Sequence, residues 1–376
     1  MRDVEIDKYA AAAIVGAIAA SIVAFAVVRK MHREKVAYGA FGNVLLAEFG
    51  SCRRRFEKVS GRGIVICAGG KTLMTCAFAT VAQIRRVGCT LPIEIFYAGP
   101  DELGPGYEEA FEEFGGVKFV DATTVLPWPC HKPTNLRGFS IKPYALVLTR
   151  FREALMLDAD CAPLRDPEFL FETPEFKKYG NIFWPDYWVS PELVRPLVAR
   201  EFGLPQEPGG FETESGQVLV DTTRCGDALK WTWILNNHSD VFYQIYYGDK
   251  DLYRIGFRLA NTPFYQVKFS PGMLGQVRGD RFVLDTMLQK SPDGKPLFAH
   301  RTMGKRLRDK LTWTTYNPIE GEYGRRATAV LSEKDHFVPI PELENQTRET
   351  PQVVREIARS IQSDEDRFEH MTSSPA

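Results

Sequence analysis

The chain has 376 residues, of which 44% are hydrophobic and 25% are charged. These proportions are those of an ordinary globular protein, and the length allows one large domain or two of average size. The 47 basic and 48 acidic residues give a net charge of −1. This balance argues against a nucleic-acid-binding protein, which normally carries a basic surplus on its binding domain. The seven cysteines include no pair at CxxC spacing, so a structural zinc site is not indicated.

Residues 10–28 form a run of nineteen positions without a charged side chain. A helix of that length rises ~28 Å, which is close to the hydrocarbon thickness of a bilayer. The alternative is a cleaved signal peptide, but its apolar region is usually shorter, and the RKMHREK segment that follows lacks the small residues of a cleavage site. The sequence therefore predicts a transmembrane anchor over 10–28, a flank over 1–9 and a stem over 29–60.

The orientation of this anchor is left open by two opposing signals. Four basic residues follow the span between positions 29 and 35, and the positive-inside rule places such a flank in the cytosol. Glycosylation sequons begin at Asn237 and Asn345, and they point weakly to a lumenal body.

The body from residue 61 to 317 alternates between strand and helix patterns. Apolar runs predict strands, and positions with a period near 3.6 predict helices. The predicted strands are 62–68, 91–98, 117–121 and 154–157, and the predicted helices are 72–87, with Thr72 as its cap, and 141–151. This alternation predicts an α/β fold with a mainly parallel sheet. The segment 318–376 is predicted to be a polar tail with a surface helix over 353–362 and a loose, charged terminus.

The glycine turn after the first predicted strand is not a P-loop. The tetrapeptide GGKT occupies 69–72, but the position five residues before Gly70 is Val65 instead of glycine, and the chain has no GxGxxG. A glycine turn between a strand and a helix is still the usual place for a nucleotide in an open α/β sheet. Ala68, Gly69 and Gly70 are therefore candidate nucleotide-binding residues.

Asp158 and Asp160 are the strongest candidate metal ligands. The chain has three Asp-x-Asp pairs, and this is the pair at which a buried apolar strand runs out into a loop. Residues two apart on a strand stand ~6.6 Å apart, too far to hold one ion at ~2.2 Å unless the chain turns. Pro163 follows and favours such a turn. A hard cation would relieve the repulsion between the two carboxylates and would bind diphosphate oxygens. A capping or turn role is the alternative.

A third ligand is sought further along the chain. His300 ends the apolar run PLFAH, and basic residues that include Lys305 follow it and would meet phosphate. A mixed carboxylate and imidazole site suits manganese better than calcium. The predicted cofactor is therefore Mn²⁺ or another divalent cation, although a lone histidine is more often structural.

Five segments together resemble a known family. ALMLDADCAPLRDPEFLF is similar to the metal-binding strand of GT-A glycosyltransferases such as glycogenin. RGIVICAGG, IFWPDYW, ESGQVLVD and GDKD resemble segments of the fungal Golgi α-mannosyltransferases and their relatives, in an order that runs from about 61 to 305. The resemblance implies a single GT-A domain, a nucleotide-sugar donor (GDP-mannose in particular), a glycan acceptor, retention of the α configuration, and a Golgi membrane protein with a lumenal catalytic domain.

The resemblance also implies roles for individual residues. The metal ligands would be Asp158, Asp160 and His300. Lys142 would lie near the donor, and Gln217 lies in a segment that would line the sugar and acceptor pocket. With the glycine turn and the basic residue after His300, the predicted donor-binding residues are Ala68, Gly69, Gly70, Lys142, Asp158, Gln217 and Lys305.

Three carboxylates are candidates for the catalytic step. Retention needs either a carboxylate nucleophile or attack from the face that the diphosphate leaves, and the sequence does not choose between them. Asp249 would face the reacting carbon, Glu214 would line the sugar pocket, and Asp186 is the third candidate. Asp249 has the alternative role of capping a helix over 249–257, and Asp186 that of a buried structural residue among aromatic side chains.

Other functions stay open at this stage. A related glycosyltransferase that uses UDP-glucose or UDP-galactose would have the same metal site. A metal-dependent nucleotidyltransferase or phosphotransferase would use the same aspartates but would not need the ESGQ segment. A non-catalytic membrane lectin would keep the aromatic residues without needing Asp158, Asp160 and His300 together.

Overall fold

The structure is a computed structural model, and it describes residues 40–52, 59–125, 136, 138–278, 281–302, 315–317, 337–339, 348–349 and 352–373. The strands are β1 (Arg62–Cys67), β2 (Ile93–Tyr97), β3 (Val117–Asp121), β4 (Glu153–Asp158), β5 (Cys161–Pro163), β6 (Asn181–Glu192), β7 (Pro208–Asp221), β8 (Gly272–Arg278), β9 (Arg281–Lys290), β10 (Pro296–His300), β11 (Thr315–Asn317), β12 (Phe337–Pro339) and β13 (Arg348–Glu349). The α-helices are α1 (Ala40–Ser51), α2 (Gly70–Arg86), α3 (Tyr107–Phe111), α4 (Ile141–Leu148), α5 (Pro174–Tyr179), α6 (Pro196–Phe202), α7 (Gly226–Asn237), α8 (Ser239–Phe242), α9 (Lys250–Leu259) and α10 (Gln352–Ser373). Single 3₁₀ turns cover Pro100–Glu102, Glu112–Phe114, Gly138–Ser140 and Pro167–Glu172.

The central sheet has the strand order β3-β2-β1-β4-β7-β6. Strands β3, β2, β1 and β4 pair in parallel, whereas β7 pairs antiparallel with both β4 and β6. The predicted α/β fold is therefore confirmed, with a mixed sheet whose first four strands are parallel. In the register of this sheet Cys67 lies opposite Asp158, so the glycine turn after β1 and the end of β4 meet at one edge.

The parallel strands are apolar on both faces because helices cover both sides of the sheet. Ile64 and Leu155 point into a cluster with α2, while Val65 and Met156 point into a cluster with α4, α7 and α9. Helix α2 begins earlier than predicted, at Gly70 instead of Thr72. The residue at its N-cap position is Gly69, which has no side chain, so Thr72 is not the cap.

A second sheet lies beyond the end of β4. Its strands are in the order β13-β11-β8-β9-β10-β5, and β12 pairs with β9. β10 runs antiparallel to β5, with His300 opposite Cys161. This pairing carries the end of β10 to the loop that follows β4.

The C-terminal helix is longer and more deeply packed than the sequence predicted. α10 spans Gln352–Ser373 instead of 353–362, and Ile361 and Phe368 are buried. The Phe368 ring centroid lies 5.1 Å from that of Phe78 on α2. The end of the chain over 363–373 is therefore helical and packed on the body instead of loose.

Several sequence predictions lie outside the described residues. These are the anchor over 10–28, Lys305 and the sequon at Asn345. Among the helices that the structure describes, none has the length and apolar character needed to cross a membrane.

Candidate metal centre and donor site

The chain turns sharply between β4 and β5. β4 ends at Asp158 and β5 begins at Cys161, so the second aspartate lies in the turn itself. Two buried side chains of α2 hold this turn: Thr80 Oγ1 donates to the Ala159 carbonyl at 2.6 Å, and Gln83 Nε2 donates to the Pro163 carbonyl at 3.0 Å. The turn that a shared metal ion requires is present.

The turn brings the predicted metal ligands together. One ligand atom from each of Asp158, Asp160 and His300 lies within 4.8 Å of the others. His300 Nε2 is 3.6 Å from Asp158 Oδ2 and 3.4 Å from Asp160 Oδ1. Two ligands at ~2.2 Å from one cation and at ordinary coordination angles stand ~3.1–3.6 Å apart. The donor set and its spacing therefore fit a divalent cation such as Mn²⁺.

Gly216 makes room for the histidine. A Cβ atom at this position would lie 2.4 Å from both Cε1 and Nδ1 of His300 and 2.9 Å from Glu214 Oε1. The imidazole therefore lies directly against the backbone of β7.

Glu214 contacts the far side of the imidazole. Its Oε1 lies 3.3 Å from His300 Nδ1 and accepts a 2.6 Å bond from the Gly216 amide. Burial lowers the pKa of His300, but Asp160 and Glu214 outweigh it and raise the pKa to about 10. For Glu214 the directions are reversed: burial raises the pKa, but His300 and Lys142 outweigh it and lower the pKa to about 2. A carboxylate behind a metal-binding histidine fixes the orientation of the ring.

Lys142 links the metal ligands to Asp249. It lies on the first turn of α4 and is only 5% exposed. Its Nζ is 3.1 Å from Asp158 Oδ1, 3.3 Å from Asp249 Oδ2, and donates to Ser215 Oγ at 2.9 Å. Burial lowers the pKa of Lys142, but the carboxylates of Asp158 and Asp249 outweigh it and leave the pKa raised. The lysine is therefore a fixed positive charge beside the cluster.

Asp249 precedes α9 without capping it through its side chain. It occupies the N-cap position, but among the described residues no capping hydrogen bond comes from its carboxylate. The side chain instead points to Lys142, and it is buried. Burial raises the pKa of Asp249 to about 6, with Lys142 acting in the opposite direction. The geometry disfavours the capping interpretation.

Asp186 belongs to a neighbouring buried network. Its Oδ2 lies 2.5 Å from Lys250 Nζ, which also lies 2.7 Å from Glu212 Oε2. Its Oδ1 accepts a 2.6 Å bond from the Tyr187 amide. Burial raises the pKa of Asp186, and Lys250 opposes this. These contacts anchor the start of α9 and favour the structural interpretation of Asp186.

A cavity of about 250 Å³ opens beside the metal cluster. Of the predicted donor-binding residues, those in its lining are Ala68, Gly69, Lys142 and Asp158. Gly70 and Gln217 are not in the lining, and Gln217 is instead buried on β7, where its Oε1 accepts a 3.4 Å bond from Cys161 Sγ.

Among the cavity-wall residues that sequence reasoning missed are Phe139 and Glu102. Phe139 is 50% exposed, and its ring centroid is 5.7 Å from Lys142 Nζ. Glu102 lies against Gly69, where a Cβ atom would meet its Oε2 at 2.1 Å, and this oxygen accepts a 2.7 Å bond from the Ala98 amide. Neither residue belongs to a recognisable motif, although an aromatic residue three positions before a predicted donor lysine is a weak signal.

A second group of potential ligand atoms is formed by Cys89, Asp166 and Glu168. Burial raises the pKa of the Cys89 thiol to about 11, whereas metal binding needs the thiolate. Asp166 Oδ1 also accepts a 2.9 Å bond from the Glu168 amide, as the cap of a short 3₁₀ turn. This group is a poorer fit to a cation than the cluster at His300.

A family model described as "Mannosyltransferase putative" matches residues 61–196 and 208–291. These two ranges cover more than half of the chain. The chain belongs to this mannosyltransferase family. The matched ranges contain Lys142, Asp158, Asp160, Glu214 and Asp249, whereas His300 lies beyond them. The membership confirms the resemblance that the sequence motifs indicated, and it makes the chain a member of a glycosyltransferase family.

The chain is also similar to curated α-1,2-mannosyltransferases of fungi. The α-1,2-mannosyltransferase MNN22 of Candida albicans is 25% identical in an alignment 284 positions long, which covers 61% of this chain and 46% of that protein. The α-1,2-mannosyltransferase MNN2 of Saccharomyces cerevisiae is 24% identical in an alignment 274 positions long, which covers 61% of this chain and 45% of that protein. The chain spans about half the length of these curated relatives.

Solved structures of two glycan-synthesising enzymes were also found to be similar. The galactosyltransferase LgtC, with donor and acceptor sugar analogues, is 12% identical with a TM-score of 0.37, over 55% of this chain and 74% of that one. The core-mannan synthase A of Aspergillus fumigatus is 11% identical with a TM-score of 0.34, over 57% of this chain and 77% of that one.

Proposed function

We propose that this chain is a GT-A glycosyltransferase that transfers mannose from GDP-mannose to a hydroxyl group of a glycan acceptor, with retention and with a divalent cation such as Mn²⁺. The observation that carries the proposal is the cluster of Asp158, Asp160, His300 and Lys142 at the edge of the cavity beside the glycine turn. The family supports mannose as the sugar, as do the names of the fungal relatives.

The leaving group of this reaction is a nucleoside diphosphate, on which negative charge grows. A divalent cation held by Asp158, Asp160 and His300 would stabilise that charge without the need for a proton donor. Lys142 adds a fixed positive charge 3.1 Å from Asp158, at a place where low solvent exposure strengthens its effect. The turn at Ala68 and Gly69, at the carboxyl edge of the sheet, offers the donor the position that nucleotides take in open α/β sheets.

We assign different roles to the candidate carboxylates. The Glu214 carboxylate lies 3.3 Å from His300 Nδ1, and this position behind the ring favours an orienting role over that of a nucleophile. Asp249 pairs with Lys142 without capping α9, which leaves it as the candidate to face the positive charge that develops on the sugar ring. Asp186 is held by Lys250 and is assigned to the support of α9.

The test is sugar transfer with defined donors. Purified protein is incubated with Mn²⁺, an α-mannoside acceptor and GDP-mannose, UDP-glucose or UDP-galactose in parallel, and the glycan product is measured. We expect transfer from GDP-mannose that stops in excess chelator and in the Asp160→Ala variant. Asp166→Asn, which alters the second group of potential ligands, is the control and should retain transfer. Full activity in chelator would refute the metal site, and faster transfer from a UDP-sugar would change the donor.

We further propose that the chain works as a Golgi membrane protein with a lumenal catalytic domain. The uncharged run over 10–28 and the family resemblance support this setting. The basic flank over 29–35 argues against a lumenal catalytic domain, because basic flanks usually lie on the cytosolic side. Asn237 is buried at the end of α7, so its sequon gives no support to a lumenal body. Protease protection of the body in sealed membrane vesicles tests the orientation, and cleavage in intact cytosol-side-out vesicles would refute it.

A further inference from the structure

Arg301 is the residue that follows the predicted metal ligand His300, and it is completely buried. Its backbone amide donates to the carbonyl oxygen of Asp160 at 3.1 Å. Its side-chain Nε donates to the same oxygen at 3.3 Å. Arg301, the residue after β10, therefore binds the carbonyl of a ligand aspartate with both its main chain and its side chain.

The guanidinium of Arg301 is itself held by the C-terminal helix. Its Nη1 donates to Glu365 Oε1 on α10, and Glu365 is 1% exposed. Phe368, one turn further along, packs against Phe78 of α2. Removing one partner of a buried ion pair leaves the other charge buried without a counter-charge, which is strongly destabilising. Because Arg301 contacts both Glu365 and the Asp160 carbonyl, the pair links α10 to the turn between β4 and β5.

The carbonyl of Asp160 is one of three, in the turn and at the end of β5, that receive a buried side-chain donor. Thr80 and Gln83 of α2 bind the carbonyls of Ala159 and Pro163. The Asp160 carbonyl receives its donors from Arg301. The position of the Asp160 carboxylate relative to a metal ion depends on the position of its backbone, and coordination tolerates an error of only ~0.2 Å in the ligand distance.

We propose that Arg301 and Glu365 are positioning residues for the ligand aspartate Asp160, so that the C-terminal helix is part of the metal site. The inference rests on the metal site of the proposed function. Residue 291 is the last that the family model matches, and α10 begins sixty-one residues later in the chain, at Gln352. The metal site, which includes Asp158 and Asp160 of the matched region, would therefore also depend on α10, a helix outside that region.

The structural alternative is that the pair merely fastens α10 to the body. That role predicts lower stability without a change in the affinity of the folded protein for metal. A positioning role predicts weaker metal binding by protein that is still folded. Mn²⁺ affinity and melting temperature, measured on the same samples, separate the two.

The experiment measures the binding of Mn²⁺ alone from the electron paramagnetic resonance signal of free Mn²⁺, at a temperature well below unfolding. The main variant is Arg301→Met with Glu365→Met, which removes both charges while keeping apolar volume. Arg301→Lys is the second variant, because it keeps the charge beside Glu365 but loses the planar Nε donor. Glu113→Gln is the control, because it breaks the exposed ion pair between Glu113 and Arg367 of the same helix.

We expect the double variant to bind Mn²⁺ at least ~10-fold more weakly, Arg301→Lys to bind it more weakly than the wild type, and Glu113→Gln to bind it normally. Wild-type affinity in the folded double variant would overturn the inference. If the double variant does not fold, wild-type affinity in Arg301→Lys would overturn it. The proposed function fails separately, if the wild type binds no Mn²⁺ or if Asp160→Ala binds it equally well.

Discussion

At the scale of single residues, the site is a compact arrangement of opposed charges. Lys142 Nζ lies within 3.3 Å of carboxylate oxygens of both Asp158 and Asp249, and His300 lies between Asp160 and Glu214. Four carboxylates therefore face two basic side chains. An excess of buried negative charge favours a bound cation, because like charges at these distances repel strongly where water is scarce.

Gly216 gives the first prediction at this scale. In Gly216→Ala, a Cβ atom 2.4 Å from the His300 ring would force the ring or the strand to move. We expect Mn²⁺ affinity and transfer each to fall at least ~10-fold, which is the size of effect seen when the support of a metal ligand is removed. The measurements are Mn²⁺ titration and transfer rate. Gly210→Ala is the matched control on β7, since its Cβ would meet only the end of the Leu193 side chain, at 3.3 Å.

Asp249 gives the second prediction at the scale of single residues. Asp249→Asn keeps the shape of the side chain but removes the charge that pairs with Lys142. If the carboxylate stabilises charge in the transition state, turnover should fall ~100-fold or more while the donor dissociation constant changes little. Turnover, donor affinity and melting temperature are measured together. Near-normal turnover with a loss of ~1 kcal/mol of stability would show a cap instead.

At the scale of secondary-structure elements, the start of α9 is fixed by side chains from two strands. Lys250 pairs with Asp186 on β6 and Glu212 on β7, and Asp251 Oδ1 accepts a 3.0 Å bond from the Thr213 amide. These contacts hold the first turn of the helix. They thereby set the direction in which Asp249, the residue before it, projects.

The buried Asp251 predicts a pH dependence of stability. Burial, partly opposed by Lys250, raises its pKa from 3.8 to about 6. The folded state then holds this proton more tightly than the unfolded state, so the contribution to stability is complete below pH 3.8 and is lost as the pH rises through 6.

We therefore expect the stability of the wild type, relative to Asp251→Asn, to fall by roughly 2 kcal/mol between about pH 4 and pH 7. The asparagine keeps an acceptor for the Thr213 amide but does not titrate. Urea unfolding of both proteins at the two pH values checks this, and groups common to both cancel in the difference. A difference that is constant with pH would contradict the raised pKa.

At the scale of the whole molecule, the candidate metal ligands join two sheets. Asp158 ends a strand of the central sheet, and His300 ends a strand of the second sheet. A cation bound to both would cross-link parts of the chain that are far apart in sequence. The unfolded chain would not hold these ligands together, so binding should stabilise the folded state.

Mn²⁺ is therefore expected to raise the melting temperature, and excess chelator to reverse the rise. At a free concentration 100 times the dissociation constant, the added stability should be ~2.7 kcal/mol. Asp160→Ala should lose this response while Asp166→Asn keeps it. A rise of equal size in Asp160→Ala would place the bound Mn²⁺ at another site.

The sequence by itself determined much of the local structure. The strand predicted over 117–121 is β3, with the same bounds, and the strand predicted over 154–157 lies within β4. The helix predicted from 141 does begin at Ile141, whereas α2 begins before Thr72, because the backbone turn at Gly69 and Gly70 starts it without a side-chain cap among the described residues. Apolar periodicity reports which residues are buried, but it does not mark where a helix begins.

The aspartate pair was also visible in the sequence, since a buried strand that ends in Asp-x-Asp is a local pattern. Only the tertiary structure decided which side chains meet it. His300 reaches the turn because β10 pairs with β5. Asp249 directs its carboxylate to Lys142 instead of capping α9. The pairing of strands and the packing of helices depend on contacts between distant parts of the chain, which no local pattern encodes. For the same reason, the link from Arg301 to Glu365 became apparent only in the folded protein.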